Sequence, residues 1–172
     1  MLYNCSKLNH FRIPDSVESI GQGFCYGCNG LNTTYFGTIK VIPDYAYYAA
    51  ALRKPVIPDT VEYIGDYAFR MRYGSMNTLT LGSKVKHIGN YAFDNNALSK
   101  VDIPDSVTEI GTFGFKSSNG NLKTLNIGSG ITSIGVNAFN NTSEATITIN
   151  KPENSVSGSP WGAANSTVIW NG

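Results

Sequence analysis

The feature that most constrains this chain is a unit that returns at nearly constant spacing along its whole length. The clearest copy is Ile103-Pro-Asp-Ser-Val-Thr-Glu-Ile-Gly-Thr-Phe-Gly-Phe115, preceded by Leu98-Ser-Lys-Val101. Close copies run from Ile13 to Gly21 and from Ile57 to Gly65, while Leu81 to Gly89 and Ile127 to Gly135 keep the spacing with Gly in place of Pro. The last apolar residue of each leading segment is Ile13, Phe36, Ile57, Leu81, Ile103, Ile127 and Ile149, giving steps of 23, 21, 24, 22, 24 and 22 residues. Self-similarity at such a period means a repeat architecture, and it outranks local propensity.

One unit reads as three pieces. LxxVxI, as in Leu98, Val101 and Ile103, alternates apolar and polar residues at its end and predicts a half-buried strand. Pro-Asp-Ser or Gly-Ser then predicts a turn, through the fixed φ of proline or the freedom of glycine. In the third piece, VxxIGxxAF, the residue two after the isoleucine is Asp44, Asp66, Asn90 or Thr112, side chains that cap free amides, so a short helical turn is expected after the glycine. Small residues Ala46, Ala68, Ala92, Gly114 and Ala138 precede Tyr47, Phe69, Phe93, Phe115 and Phe139, the pattern of a stacked core. A unit this short cannot enclose its own apolar edges, so stacking of neighbours is obligatory. Seven coils at about 4.8 Å would make a rod or arc of roughly 30 Å.

The runs IPDSVxxIG and IGxYAF, spread over nearly the whole chain, resemble the leucine-rich repeats of the bacterial surface-antigen (BspA-like) type. That resemblance implies a β-rich α/β repeat solenoid: a right-handed leucine-rich-repeat superhelix with a parallel sheet on the concave face and short helical turns. It also implies secreted or cell-surface proteins that bind other macromolecules in adhesion.

A chain of 172 residues in one phase predicts a single domain, 1–172, with residues 1–7 the tail of a truncated repeat, 8–143 six repeats, and 144–172 a terminal strand and C-terminal cap. The second unit, with Gly37 and Pro43 off pattern, is expected to be distorted, and Gln22-Gly-Phe24 reads as one residue short. Longer loops at Arg70-Met-Arg-Tyr-Gly-Ser75 and Lys116-Ser-Ser-Asn-Gly-Asn121 fall on one side of the coil. Cys5-Ser-Lys-Leu8 has the same form as Cys28-Asn-Gly-Leu31, so the chain reads as starting in mid-repeat, as the C-terminal fragment of a longer protein. Its first residues lack the regions of a signal peptide, and no stretch is long and apolar enough to span a bilayer. The open N-terminal edge around Leu2, Leu8 and Phe11 to Ile13 is expected to favour self-association.

Charged residues are 15% of the chain and the net charge is +1, without a basic run, which gives no electrostatic case for nucleic acid or an anionic membrane. The Cys25-x-x-Cys28 pair lacks the partners a tetrahedral zinc site needs, so no metal or cofactor is expected. The cysteines read as inert packed thiols, with an adjacent-coil disulfide as the less favoured alternative. His10 and His87 lie in no nucleophile or metal motif, and Ser16, Ser106, Asp15, Asp59 and Asp105 recur because the turn recurs, so an enzyme is not expected. The column Tyr45, Tyr67, Tyr91 and Phe113 reads as stacked half-buried rings rather than a ligand platform.

Function therefore falls to binding. Strand residues flanking the central apolar position point away from the core in two columns. One is His10, Thr33, Lys54, Thr78, Lys100, Thr124 and Thr146; the other is Arg12, Tyr35, Val56, Thr80, Asp102, Asn126 and Thr148. The ligand-binding candidates are His10, Arg12, Tyr35, Arg53, Lys54, Lys100 and Asp102, weighted to the N-terminal end, where cations and an aromatic ring gather as interface cores favour. The reading is a non-enzymatic binding module for a protein or glycan ligand. A structural spacer that displays another domain is the alternative, and a glycan-processing or redox enzyme a minor third.

Overall fold

The computed structural model describes residues 1–72 and 74–172. The alternating LxxVxI segments become strands of a first parallel sheet. In β6 (Lys100–Ile103) and β8 (Thr124–Ile127) the central and last residues are buried and the residues between them face outward. With β11 (Thr146–Ile149) and β13 (Thr167–Trp170) they form a sheet in the order β13-β11-β8-β6, and at the other end β1 (His10–Arg12) pairs with β2 (Thr33–Tyr35). Every pair is parallel and in register with its equivalent one unit on, Lys100 with Thr124 and Thr146 with Thr167 for example, as a stack of like coils requires.

The third piece of the unit departs from expectation. No helix forms among the described residues. Instead VxxIG supplies a second parallel sheet of two-residue strands: β3 (Val41–Ile42), β4 (Tyr63–Ile64), β5 (His87–Ile88), β7 (Glu109–Ile110) and β9 (Ser133–Ile134), in that order. A shorter pair, β10 (Thr142–Ser143) with β12 (Ala163–Ala164), lies on the remaining side near the C-terminus.

The expected caps explain the correction. Asp66 Oδ1 accepts the Asn90 amide at 2.7 Å, Asp44 Oδ1 accepts Asp66 N at 2.9 Å, and Asn90 Oδ1 accepts Thr112 N at 2.9 Å. Each side chain thus satisfies the next coil rather than a helix of its own. The following residue has positive φ in six successive coils, at Gly23, Tyr45, Tyr67, Tyr91, Phe113 and Asn137, between 54° and 60°. A left-handed residue there closes a four-residue turn, with Ala138 N bonded to Gly135 O at 3.1 Å. That conformation costs a non-glycine residue about 1–2 kcal/mol. Ring stacking, Tyr45 on Tyr67 at 4.9 Å and Tyr67 on Tyr91 at 4.8 Å, offsets a comparable amount, about 0.5–1.5 kcal/mol per pair. The glycine before the cap is required for a different reason. A Cβ on Gly65, Gly89, Gly111 or Gly135 would lie 2.4–2.7 Å from a backbone amide nitrogen of the preceding coil.

Between the sheets runs the core column, with Tyr47, Phe69 and Phe93 stacked at 5.3 Å and Phe93 on Phe115 at 5.0 Å, all fully buried. Cys25 N donates to Ala46 O, which puts Cys25 in this column and Gly23 in the left-handed one, so the first coil is full length and not one residue short. The column ends at Trp161, buried and edge-on to Phe139 at 6.2 Å and to Trp170 at 6.4 Å, its Nε1 donating to Ser157 O at 2.6 Å.

The distortion expected in the second unit falls on the first sheet. Among the described residues β2 pairs only with β1, and coils three and four share the single bridge Val56–Thr80. Pro55, with no N–H to give, stands in that strand. The second sheet begins in this unit, at β3 just before Pro43, and pairs there with β4. The two long loops lie side by side: Asn95 Nδ2 donates to Met71 O and Arg72 O, and a Cβ on Gly74 would lie 2.7 Å from Ser118 Oγ. Position Tyr73 of the first loop lies outside the described residues.

Candidate ligand-binding face

The register of β1 and β2 sets His10 beside Thr33 and Arg12 beside Tyr35. Because Phe11 turns inward, both pairs face outward. The Arg12 guanidinium lies over the Tyr35 ring at 4.5 Å from its centroid, and the same side chain, 68% exposed, is 3.6 Å from Asp15. With Phe11 and Thr34 these residues line a shallow depression of about 470 Å³. Exposed ion pairs of this kind contribute little to stability. The Tyr35 ring is 48% exposed, with the Arg12 guanidinium over it.

Arg53 and Lys54 lie on the next coil, both exposed, where the Arg53 carbonyl accepts the amides of Asn77 and Thr78. They extend the cationic end of the face. Lys100 and Asp102 are not part of that group. They lie two coils beyond Lys54, roughly 10 Å along the stack, and they pair with each other at 2.9 Å. Burial alone would raise the Asp102 carboxyl, but hydrogen bonds from Lys100 and from Asn126 Nδ2, the latter at 2.6 Å, hold it below its ordinary value. From there to the C-terminus the face is neutral: Thr124, Asn126, Thr146, Thr148 and Thr167.

Two further arrangements escaped the sequence reading. The residue after each core-column position builds a ladder on one flank: Tyr3, Tyr26 and Tyr48 stack at 5.2 and 4.7 Å, Arg70 lies over Tyr48 at 5.6 Å, and its Nε donates to Asp94 at 2.7 Å. The Asp94 carboxylate is 3% exposed and has Lys116 Nζ at 4.0 Å on its other side. The signal was present in the sequence as the column Tyr26, Tyr48, Arg70, Asp94, Lys116, which becomes visible once the phase of Cys25 is known. On the second sheet His87 stacks on Tyr63 at 4.4 Å and its Nδ1 is 3.0 Å from Glu109. No serine or cysteine nucleophile pairs with that imidazole among the described hydrogen bonds.

Comparison with known proteins follows the same lines. Residues 1–48 and 40–160 match the family model described as BspA type leucine rich repeat region, present in six copies. No curated protein matches the chain significantly. Among solved structures, a leucine rich cell surface protein from Faecalibacterium prausnitzii is 22% identical over 95% of this chain, with a TM-score of 0.46. A leucine-rich repeat protein from Bacteroides ovatus is 17% identical over 98% of this chain, with a TM-score of 0.48. The chain spans 60% and 54% of the length of those two structures.

Proposed function

The chain belongs to the BspA-type leucine-rich repeat family, and on that premise we propose that it is a non-enzymatic binding module of a secreted or cell-surface protein. Its ligand is an extracellular protein or glycan engaged in adhesion. The observation that carries this reading is the Arg12–Tyr35 pair: an exposed aromatic ring capped by a guanidinium, flanked by His10, Arg53 and Lys54, on the face where the repeat leaves side chains free of core duties. Arginine and tyrosine are the residue types that dominate binding hot spots. The low net charge argues against nucleic acid as the ligand.

A panel of immobilised extracellular proteins and glycans tests the proposal. Arg12→Ala with Tyr35→Ala weakens the best binder by roughly 10–100-fold, whereas Thr124→Ala with Thr146→Ala leaves it unchanged. Equal loss in both variants would refute the placement, and a chain that binds nothing while a domain fused to it binds normally favours the spacer reading.

The N-terminal edge supports self-association as a second mode of contact. Leu2, Leu8, Phe11, Val17, Ile20 and Phe24 are only partly buried there, around an apolar depression of about 320 Å³ that Met1, Phe11, Val17 and Phe24 line. Sedimentation over a concentration series reads it: Phe24→Asp abolishes any dimer, and a monomer at all concentrations sinks this mode.

A further inference from the structure

The three cysteines converge on the joint between the first two coils. Leu2 N donates to Phe24 O and Asn4 N to Tyr26 O, so Asn4 lies opposite Gly27 and Cys5 opposite Cys28 in the stacked register. Equivalent residues of neighbouring coils stand about 4.8 Å apart, inside the 4.4–6.8 Å range of Cα separations that disulfides span. The Cys28 thiol already reaches into the first coil, where it donates to Leu2 O at 2.8 Å, while the Cys5 thiol donates to Tyr3 O at 3.7 Å. All three thiols are free in the structure, Cys25 and Cys28 buried and Cys5 half-buried.

We propose that Cys5 and Cys28 are a dithiol pair which closes to an inter-coil disulfide in an oxidising surrounding, fastening the first coil to the second. Cys5 is the accessible partner. Its thiolate attacks one sulfur of a small disulfide such as oxidised glutathione and expels one glutathione thiolate. Cys28 then gives its proton to solvent and attacks the Cys5 sulfur, expelling the second. Two protein S–H bonds and the S–S bond of the oxidant are lost; one protein S–S bond and two glutathione thiols are gained.

Cys25 stays reduced for two reasons. The register sets Leu2, not a cysteine, opposite it in the first coil. Burial first, and the neighbouring Cys28 second, push its thiol up to about 12; burial raises the Cys28 thiol as well, which leaves half-buried Cys5 as the thiol that reacts first and Cys28, its opposite number, as the one that resolves.

The test incubates the intact chain with reduced or oxidised glutathione, then counts thiols after unfolding and maps peptides without reduction. With oxidised glutathione the three thiols fall to one, the linked peptides contain Cys5 and Cys28, and the melting temperature rises by roughly 5–10 °C, as closure of a loop of this size implies. Cys25→Ala keeps the link and Cys5→Ser loses it. Three thiols remaining under oxidised glutathione, a Cys25–Cys28 link, or a link only between molecules would each overturn the proposal.

Discussion

The N-terminal and C-terminal halves of the first sheet are built from the same unit and differ in what the unit was free to change. In the C-terminal half, β6, β8, β11 and β13 pair without interruption; β6 presents the Lys100–Asp102 ion pair, and the other three present neutral side chains. In the N-terminal half the sheet is reduced to β1–β2 and the bridge Val56–Thr80, and its face carries His10, Arg12, Tyr35, Arg53 and Lys54. Beneath both, the ring column runs on at spacings of 5.0–5.3 Å from Tyr47 to Phe115. The fold is thus held by the column and the second sheet, and the first sheet is interrupted without breaking either.

If that is right, the core is indifferent to which half it lies under. Phe69→Ala and Phe115→Ala should each cost about 3–5 kcal/mol in chemical unfolding, and a twofold difference between them breaks the comparison. Next in size are the glycines, since a methyl at Gly65 or Gly111 must push apart two coils. Gly65→Ala and Gly111→Ala should lose about 1–3 kcal/mol each; a neutral Gly65→Ala would show the N-terminal half to be looser in its second sheet as well. Hydrogen exchange sharpens the contrast in the first sheet, where the Val56 amide should exchange more than tenfold faster than those of Leu125 and Ile147, about 1.4 kcal/mol of local opening. Similar protection at the three sites would mean that pairing is as complete at Pro55 as at β8.

The smallest effect concerns charge. Asp102 has a depressed carboxyl, so its contribution is present at neutral pH and is lost as the pH falls through that depressed value. Its resonance should titrate below an ordinary aspartate, and Asn126→Ala should move it up. With the carboxyl largely exposed, the change in overall stability should be hard to measure.

Much of this architecture was legible because repetition turns sequence into geometry. The position of Ile103 one step after Leu81 and one before Ile127 specifies strand, phase and inward face together, and the outward columns followed from alternation. The second sheet was not legible. Asp66, placed just after a glycine and before an aromatic, has the chemistry of a helix cap, and a carboxylate accepts an amide equally well from its own chain segment or from the next coil. Only the distance between Asp66 and Asn90 decides, and no single unit contains it. Tyr67 was legible as one of a stack of half-buried rings, but its positive φ was not, since a bulky residue there is disfavoured in isolation and is accepted where neighbouring rings share the site. At the candidate face the residues were readable but their grouping was not: nothing in Lys100 and Asp102 says that they satisfy each other instead of a ligand.

The side-chain-oxygen-to-amide joints of Asp44, Asp66 and Asn90 all point the same way along the chain. Each of these three coils therefore carries a socket toward its successor, whose amide is the plug, and coils built in this way fit one another. Such a grammar lets the gene lengthen or shorten the protein by whole units through unequal recombination, without inventing a new junction. A crossover that misses the period by one residue misaligns plug and socket at once. Selection can then trim the rod to the reach its setting demands while the wording of each unit stays almost fixed.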